Sequence, residues 1–353
     1  MKFTIVIPCY KCEAWVKGCI DSVKAQSGDW ECIIRVEPSS DNTVAVVRRE
    51  VSDERGLDGE GRSLADPRFV LLEGDCPSGG PSLSRNIGIE RATGDYVLFL
   101  DCDDALAPES LTQLEPFLAS HPDVATMAIN WDGNIRDTWE GIEGPLSGTE
   151  ATIRLAEKQA FPLAMAQQYI CRTQFLREKR LQFVSGVYHE DEEFFPRLLY
   201  LADSVLPTHL PLYLYCIRQE SMTTASQARN VVAIAKVMKC HLDFWRDAQP
   251  AEAVTRAWTR TWLSMFFYVF FHPKASANTP AEKTRQALKE LFCGDEAQLL
   301  RDFASYASKP KRLGLAMARF SAITGILWPT RIFFALYYSL CERGIRKGDC
   351  VCK

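Results

Sequence analysis

The chain opens by alternating short apolar runs with amphipathic stretches, and this alternation constrains its fold more than any other feature. Phe3–Ile7 is a β-branched run that stops at Pro8, and an amphipathic segment follows from Glu13 to about Ala25. Cys32–Val36 is a second run, closed by the turn-rich Glu37-Pro38-Ser39-Ser40-Asp41-Asn42, with helical spacing from Thr43 to about Glu50. After a polar stretch, Ser52–Asp66, which reads as an exposed insertion, come a third strand at Phe69–Leu72, a helix at Leu83–Arg91 and a fourth strand at Tyr96–Leu100. Strands that alternate with helices build βαβ units and a mainly parallel sheet, which places ligands outside the carboxyl ends of the strands. Further along, Pro108–Ser120 predicts a helix, Val124–Trp131 a strand, Arg172–Arg180 and the residues after Asp191 helices, and Leu212–Cys216 a short strand. From Ala225 onward the pattern is almost wholly helical, with breaks near Pro250, Pro273, Pro310 and Pro329.

Two polar clusters sit where such a fold keeps its ligands, just after strands: Glu37–Asp41 and Asp101-Cys102-Asp103-Asp104. Three carboxylates within four positions repel one another unless a cation or strong donors compensate. Their hard oxygen atoms suit Mg²⁺ or Mn²⁺, ions that also bridge nucleotide phosphates. As bare sequence the same cluster also reads as a cap for the helix that opens at Pro108.

The residues around these clusters carry a resemblance. Ile5-Val6-Ile7-Pro8-Cys9-Tyr10, Ser84-Arg85-Asn86-Ile87-Gly88, Ala92-Thr93-Gly94-Asp95-Tyr96 and Phe99-Leu100-Asp101-Cys102-Asp103-Asp104 resemble, in order and spacing, the motifs of family 2 glycosyltransferases with the GT-A fold. Val36–Thr43 falls where that family has an acidic, Gly-Ser-Thr-containing loop, and the resemblance runs to about Thr224. It implies a GT-A domain over 1–224, with a nucleotide-sugar half at 1–104 and an acceptor half at 105–224, followed by a helical region at 225–353. It also implies that Pro8 and Tyr10 line the nucleobase, Glu37 accepts a hydrogen bond from uracil, and Arg85 helps hold the donor near its diphosphate. Asp101 would lie near the ribose and the metal, and Asp103 would ligate Mn²⁺ or Mg²⁺ directly. The chain departs from the family at Lys11, where an Asn is usual, and at Val36-Glu37-Pro38, where the family has an acidic pair and a glycine.

A second acidic run, Glu190-Asp191-Glu192-Glu193 before Phe194 and Phe195, reads on its own as the charged first turn of an amphipathic helix. Within the resemblance it stands for the carboxylate motif of inverting enzymes, in which one group deprotonates the acceptor hydroxyl. Asp191 is assigned that role with Glu190 beside it, the reverse assignment staying open. His189 is read either as an added metal ligand or as structural. Tyr213–Thr223 resembles a family strand and loop in which Arg218 and Ser221 close over the diphosphate or the acceptor.

Composition narrows the remaining choices. A formal net charge of −4 excludes a general nucleic-acid binder. The opening apolar run is too short for a secretory signal, so the 13 cysteines are expected to be reduced thiols, many of them small core residues. Cys9 and Cys12 form a CxxC with no second pair at zinc-ribbon spacing. In the helical part, Trp258–Phe271 and Leu313–Leu340 are rich in aromatic residues, yet neither offers a clean apolar span. They read as core helices or, for Leu313–Leu340 with Lys311, Arg312, Arg343, Arg346 and Lys347 around it, as an interfacial helix on the cytoplasmic leaflet.

The expectation is therefore a cytoplasmic enzyme, peripheral to the inner face of the cell membrane. It would transfer a hexose or N-acetylhexosamine from a nucleotide-sugar donor, UDP-linked, to a saccharide or lipid-linked acceptor in polysaccharide or glycolipid synthesis. A nucleotidyl transferase would want a Gly-rich phosphate loop near the first strand, which Pro8–Lys11 is not. A catalytically degenerate nucleotide-sugar-binding or scaffolding protein is the alternative, motivated by the altered Glu37-Pro38 segment.

Overall fold

A computed structural model describes residues 1–158, 165–187, 189–217, 227–272, 279–293, 305, 307 and 309–342. The chain divides into two compact units, one of Met1–Ala151, Ala164–Gly186 and Phe194–Gln219, the other of Thr152–Leu163, Val187–Glu193 and Glu220–Lys353.

The first unit begins with β1 (Lys2–Cys9), α1 (Val16–Lys24), β2 (Asp29–Val36), α2 (Thr43–Val51), β3 (Phe69–Glu73), α3 (Ser82–Arg91) and β4 (Tyr96–Phe99). There follow β5 (Ala105–Leu106), α4 (Ser110–Leu118), β6 (Val124–Thr126), β7 (Ile129–Trp131) and β8 (Asn134–Arg136). Next come the start of α5 (Gly148–Glu157), which passes into the second unit at Thr152, β9 (Tyr169–Arg172), α6 (Thr173–Glu178), α7 (Glu190–Leu201) from Phe194 on, β10 (Val205–Pro207) and β11 (Tyr213–Tyr215). The main sheet has seven strands in the order β10-β6-β9-β4-β1-β2-β3, and a smaller sheet runs β5-β11-β7-β8. In the main sheet pairing is parallel except around β9, which lies antiparallel to both β4 and β6; in the smaller sheet β11 pairs parallel with β7, and the β5–β11 and β7–β8 pairs are antiparallel. Successive strands β1, β2 and β3 add in one direction while β4 takes the other side of β1. The order therefore reverses between β1 and β4, and a crevice opens past their carboxyl ends.

The central strands are buried on both faces, with Phe3, Ile5, Val6 and Ile7 at 0% exposure; burial of each such side chain stabilises the fold by roughly 1.5–3 kcal/mol. Two glycines of the motif stretches let backbones approach. A Cβ on Gly88 would lie 2.4 Å from Val6 Cγ1, so α3 seats directly on β1, and one on Gly94 would lie 2.7 Å from the Phe3–Thr4 backbone.

Three elements depart from expectation. β1 runs through Pro8 because the β4 pairing ends at Val6 opposite Phe99, so the missing N–H interrupts nothing on that side. Val124–Trp131 is two strands in two sheets: Met127 N–H bonds to Gln168 O and Ala128 N–H to Leu210 O, which turns the chain from one sheet to the other. β9 precedes α6 in a stretch that reads as a single helix only from Thr173 on.

The second unit contains the first turn of α7 together with α8 (Gln227–Ala248), α9 (Glu252–Phe271), α10 (Ala281–Phe292), α11 (Lys309–Thr324) and α12 (Trp328–Glu342). Trp258, Trp262, Phe266, Phe267, Phe270 and Phe271 of α9 are buried. Phe334 of α12 packs against Phe267 and Phe271, with ring centroids 4.6 and 4.7 Å away. Gly314 lets α11 close on the same rings, since a Cβ there would sit 2.6 Å from Phe334. Pro310 and Pro329 fall at the second positions of α11 and α12, where a proline costs little, and the break between these helices is at Gly325 with φ +72°. No helix among the described residues is long and apolar enough to cross a membrane.

Candidate active site

Four loops meet past the carboxyl ends of β1, β2 and β4, and polar side chains join them. After β1, Tyr10 is 46% exposed and Lys11 stands at φ +51°, a left-handed conformation that Asn adopts more readily than Lys. The Cys12 N–H donates to Thr43 Oγ1 at 2.9 Å. Glu13 N–H donates to Asp41 Oδ2 at 3.2 Å, and Asn42 N–H returns a bond to Glu13 Oε2 at 2.8 Å. The residues after β2 thus latch the residues after β1.

Glu37 is buried rather than solvated. Its Oε1 accepts from Arg35 Nη1 at 2.8 Å and from the Ser78 hydroxyl, and its Oε2 accepts the Ser78 N–H at 2.9 Å. Arg35 also reaches Ser84 Oγ at 3.4 Å, which connects this carboxylate to α3. Gly74 allows that arrangement, because a Cβ there would lie 2.8 Å from Arg35 Nη2.

One residue further along α3, Arg85 is buried and donates from Nη2 to Asp101 Oδ1 at 3.1 Å. Its guanidinium lies over the Phe183 ring, 5.4 Å from the centroid. Asn86 holds that ring's backbone with a two-way amide clamp: its Nδ2 donates to Phe183 O at 2.8 Å, and Phe183 N–H donates to its Oδ1 at 2.7 Å.

The acidic loop after β4 is the most tightly bound part. Asp101 Oδ2 accepts from Gln167 Nε2, while Gln167 Oε1 is buried with no hydrogen-bond partner. Tyr213 hydroxyl accepts the Asp101 N–H at 3.2 Å and donates to Asp104 Oδ2 at 2.6 Å; Asp104 Oδ1 takes the Cys216 N–H at 2.8 Å. Burial, and then the neighbouring Asp101 charge, push the Asp104 carboxyl up to about 8 against the pull of these bonds. Asp101, Asp103 and Asp104 each bring a carboxylate oxygen within 4.8 Å of the other two. That set of hard donors fits Mn²⁺ or Mg²⁺.

Cys9, Cys12 and Cys102 also converge, with their sulfurs within 4.8 Å. All three belong to the hydrophobic core with Cys19 and Cys32; burial pushes Cys9, Cys19 and Cys32 well up and the contact with Cys12 pushes Cys102 up, while the contacts with Cys102 and Cys9 bring Cys12 down to about 5.

In the second unit, Glu190 and Asp191 open α7 after His189, which stands at φ +64°. Glu190 is 8% exposed and Asp191 is half-buried, its Oδ1 accepting the Glu192 N–H at 2.9 Å. Desolvation and the Asp191 charge push Glu192 well up. Glu193 is buried, and its carbonyl accepts from His241 Nε2 at 3.1 Å. Arg218 and Ser221 lie outside the described residues.

Of the residues singled out in the sequence, Arg85 bonds Asp101, Asp101 and Asp103 share the acidic loop, Glu37 is tied to α3 through Arg35 and Ser84, and Pro8 and Tyr10 flank Cys9, whose carbonyl accepts the Glu37 N–H. Arg35, Ser78, Gln167 and Tyr213 are the additions. Arg35 was legible as a charge inside a buried strand two residues before Glu37, hence on the same face. Gln167 was legible as a polar residue opening the apolar run Tyr169–Cys171.

A mainly parallel sheet with an acidic loop at its switch point is the architecture of the GT-A fold. Residues 4–177 match the model of glycosyl transferase family 2, and the chain belongs to that family of glycosyltransferases. The uncharacterized glycosyltransferase YibD of Escherichia coli is 25% identical over 65% of this chain and 65% of its own length. The poly(ribitol-phosphate) beta-N-acetylglucosaminyltransferase TarS of Staphylococcus aureus is 23% identical over 62% of this chain and 36% of its own. The chain therefore spans less than two thirds of either relative. The crystal structure of TarS 1-349 with UDP-GlcNAc superposes with a TM-score of 0.70 at 20% identity, covering 96% of this chain and 92% of that one. The mannosyltransferase PcManGT of Pyrobaculum calidifontis, solved with GDP-Man and Mn²⁺, gives 0.51 at 16% identity, covering 95% and 86%.

Proposed function

We propose that this chain transfers a hexose or N-acetylhexosamine from a UDP-linked donor to an acceptor hydroxyl, with inversion, in polysaccharide or glycolipid synthesis. The observation that carries this reading is the acidic loop at the switch point, where Arg85 and Gln167 brace Asp101 beside Asp103. Asp103 and Asp101 would hold Mn²⁺ or Mg²⁺, whose chemistry is to offset charge on the leaving diphosphate. Pro8 and Tyr10 would line the base, and Glu37, oriented by Arg35 and Ser78, would keep a lone pair on Oε2 for the uracil N–H. Asp191 would accept the acceptor proton with Glu190 beside it, and Arg218 and Ser221 would close on the diphosphate or the acceptor. The complexes of TarS with UDP-GlcNAc and of PcManGT with GDP-Man and Mn²⁺ support a nucleotide-sugar donor and a divalent ion on this fold. A lipid-linked acceptor goes with a peripheral place at the inner face of the cell membrane.

Isothermal titration with UDP in Mn²⁺ and in EDTA is the direct test. Binding that needs the ion and is lost in Asp103→Ala supports the reading, and equal affinity in EDTA overturns the metal part. A binding-only protein is the second reading, favoured by the closed Arg35–Glu37–Ser78 contact. Hydrolysis of UDP-sugars without acceptor, or transfer to a model acceptor, excludes it.

A further inference from the structure

The helical hairpin α11–α12 presents an apolar strip to solvent. Leu313, Phe320 and Ile323 are exposed on α11, Ile326 on the connection, and Trp328, Ile332 and Leu336 on α12, with Trp328 at 67% and Ile323 at 65%. On α11 these positions recur at helical spacing, and the exposed Arg312 and Arg319 lie along one edge of the strip. Isolated exposed apolar residues need no explanation, but a contiguous run of this kind marks a binding surface.

Charge identifies its occupant. α11 contains no acidic residue, and α12 has only Glu342 at its last position. The described residues of the hairpin, 309–342, hold Lys309, Lys311, Arg312, Arg319 and Arg331 against Glu342, a net of +4, so the rest of this −4 chain stands at −8. A second copy would bring the same positive charge to the same face, whereas an anionic lipid surface complements it. The two helices have 16 and 15 residues. At about 1.5 Å per residue each is shorter than the ~30 Å hydrocarbon core, so they fit on a bilayer and not through it.

We propose that the α11–α12 hairpin is a membrane-docking face, with Phe320, Ile323, Trp328 and Ile332 entering the headgroup boundary of an anionic leaflet and Arg312 and Arg319 at phosphate level. The inference deepens the peripheral placement proposed above, and its test uses no sugar, so its failure leaves the transferase reading untouched. The experiment is sedimentation of the full chain with phosphatidylcholine vesicles, with and without phosphatidylglycerol. The expected result is binding to the anionic vesicles, weakened by salt and lowered roughly tenfold or more in Phe320→Ser/Ile323→Ser/Trp328→Ser. Arg319→Gln should lower only the preference for phosphatidylglycerol. These side chains are exposed, and an unaltered circular dichroism melt would show that the variants fold. No binding to anionic vesicles, or equal binding by the triple variant, overturns the proposal. So does a dimer that becomes monomeric in the triple variant, which would assign the face to a second copy.

Discussion

Asp104 is where one side chain serves two demands. It anchors β11 through Tyr213 and Cys216, and it sits beside two other carboxylates in a site expected to hold a cation. Its carboxyl is pushed up to about 8, above the ordinary carboxylate range, so between roughly pH 4 and pH 8 this group keeps its proton in the folded chain and loses it in the unfolded one. Stability in EDTA should then be highest on the acid side of this window and fall as pH rises to 8. Urea midpoints read across the window would show that slope, and Asp104→Asn, which keeps the shape, should flatten it. A slope unchanged in the variant would place the proton elsewhere. Gln167 acts on the other carboxylate. A hydrogen bond to a charged group contributes about 1.5–3 kcal/mol, so Gln167→Leu should weaken UDP affinity by roughly tenfold or more as Asp101 loses a donor. Titration in Mn²⁺ measures this, and an unaltered affinity would mean that Arg85 alone orients Asp101.

Single elements carry the next set of consequences. α3 presents Ser84 and Arg85 to two different carboxylates only because Gly88 lets it lie on β1. Gly88→Ala should cost about 1–3 kcal/mol through overpacking against Val6, seen as a lower denaturation midpoint. Val6→Ala in the same chain should recover part of the loss; an additive result would point to helix propensity instead. On α7, Asp191→Asn should leave UDP binding intact and reduce transfer by about 10²–10⁴-fold, the usual contribution of a general base. Near-normal turnover in that variant, with loss in Glu190→Gln, would reverse the two roles. The strands that periodicity made legible are the buried central ones, β1 to β4, where β-branched runs are bounded by turns. The strands it misplaced are short and belong to tertiary context: β6 and β7 share one apolar run, and only the bonds from Met127 and Ala128 to different partners divide them. β9 is antiparallel and carries no helix-alternation signal of its own.

For the whole molecule, the segregation of charge was readable by counting along the chain, but the exposure of Trp328 and Ile332 was not. A helical pattern with aromatic residues on two sides says nothing about which side another helix covers, and it took Phe334 packing on Phe267 to assign the inner face. Likewise Glu37 was readable as a carboxylate in the right loop, while its closure by Ser78 depends on a contact across 41 positions of sequence. The crevice loops share one further property. The residues after β1 and β2 are latched through Thr43 and Asn42, Ser78 is bonded to Glu37, and Phe183 is clamped by Asn86. Ordering a residue of backbone costs about 1–2 kcal/mol, and here that ordering is complete once the domain has folded. In the proposed site, a nucleotide would then freeze little of these loops, which are set by residues other than those assigned to touch it. A change at Thr43 or Asn86 would therefore weaken a ligand without removing any contact to it, and drift at such positions would erode affinity while every ligand-facing side chain stayed in place.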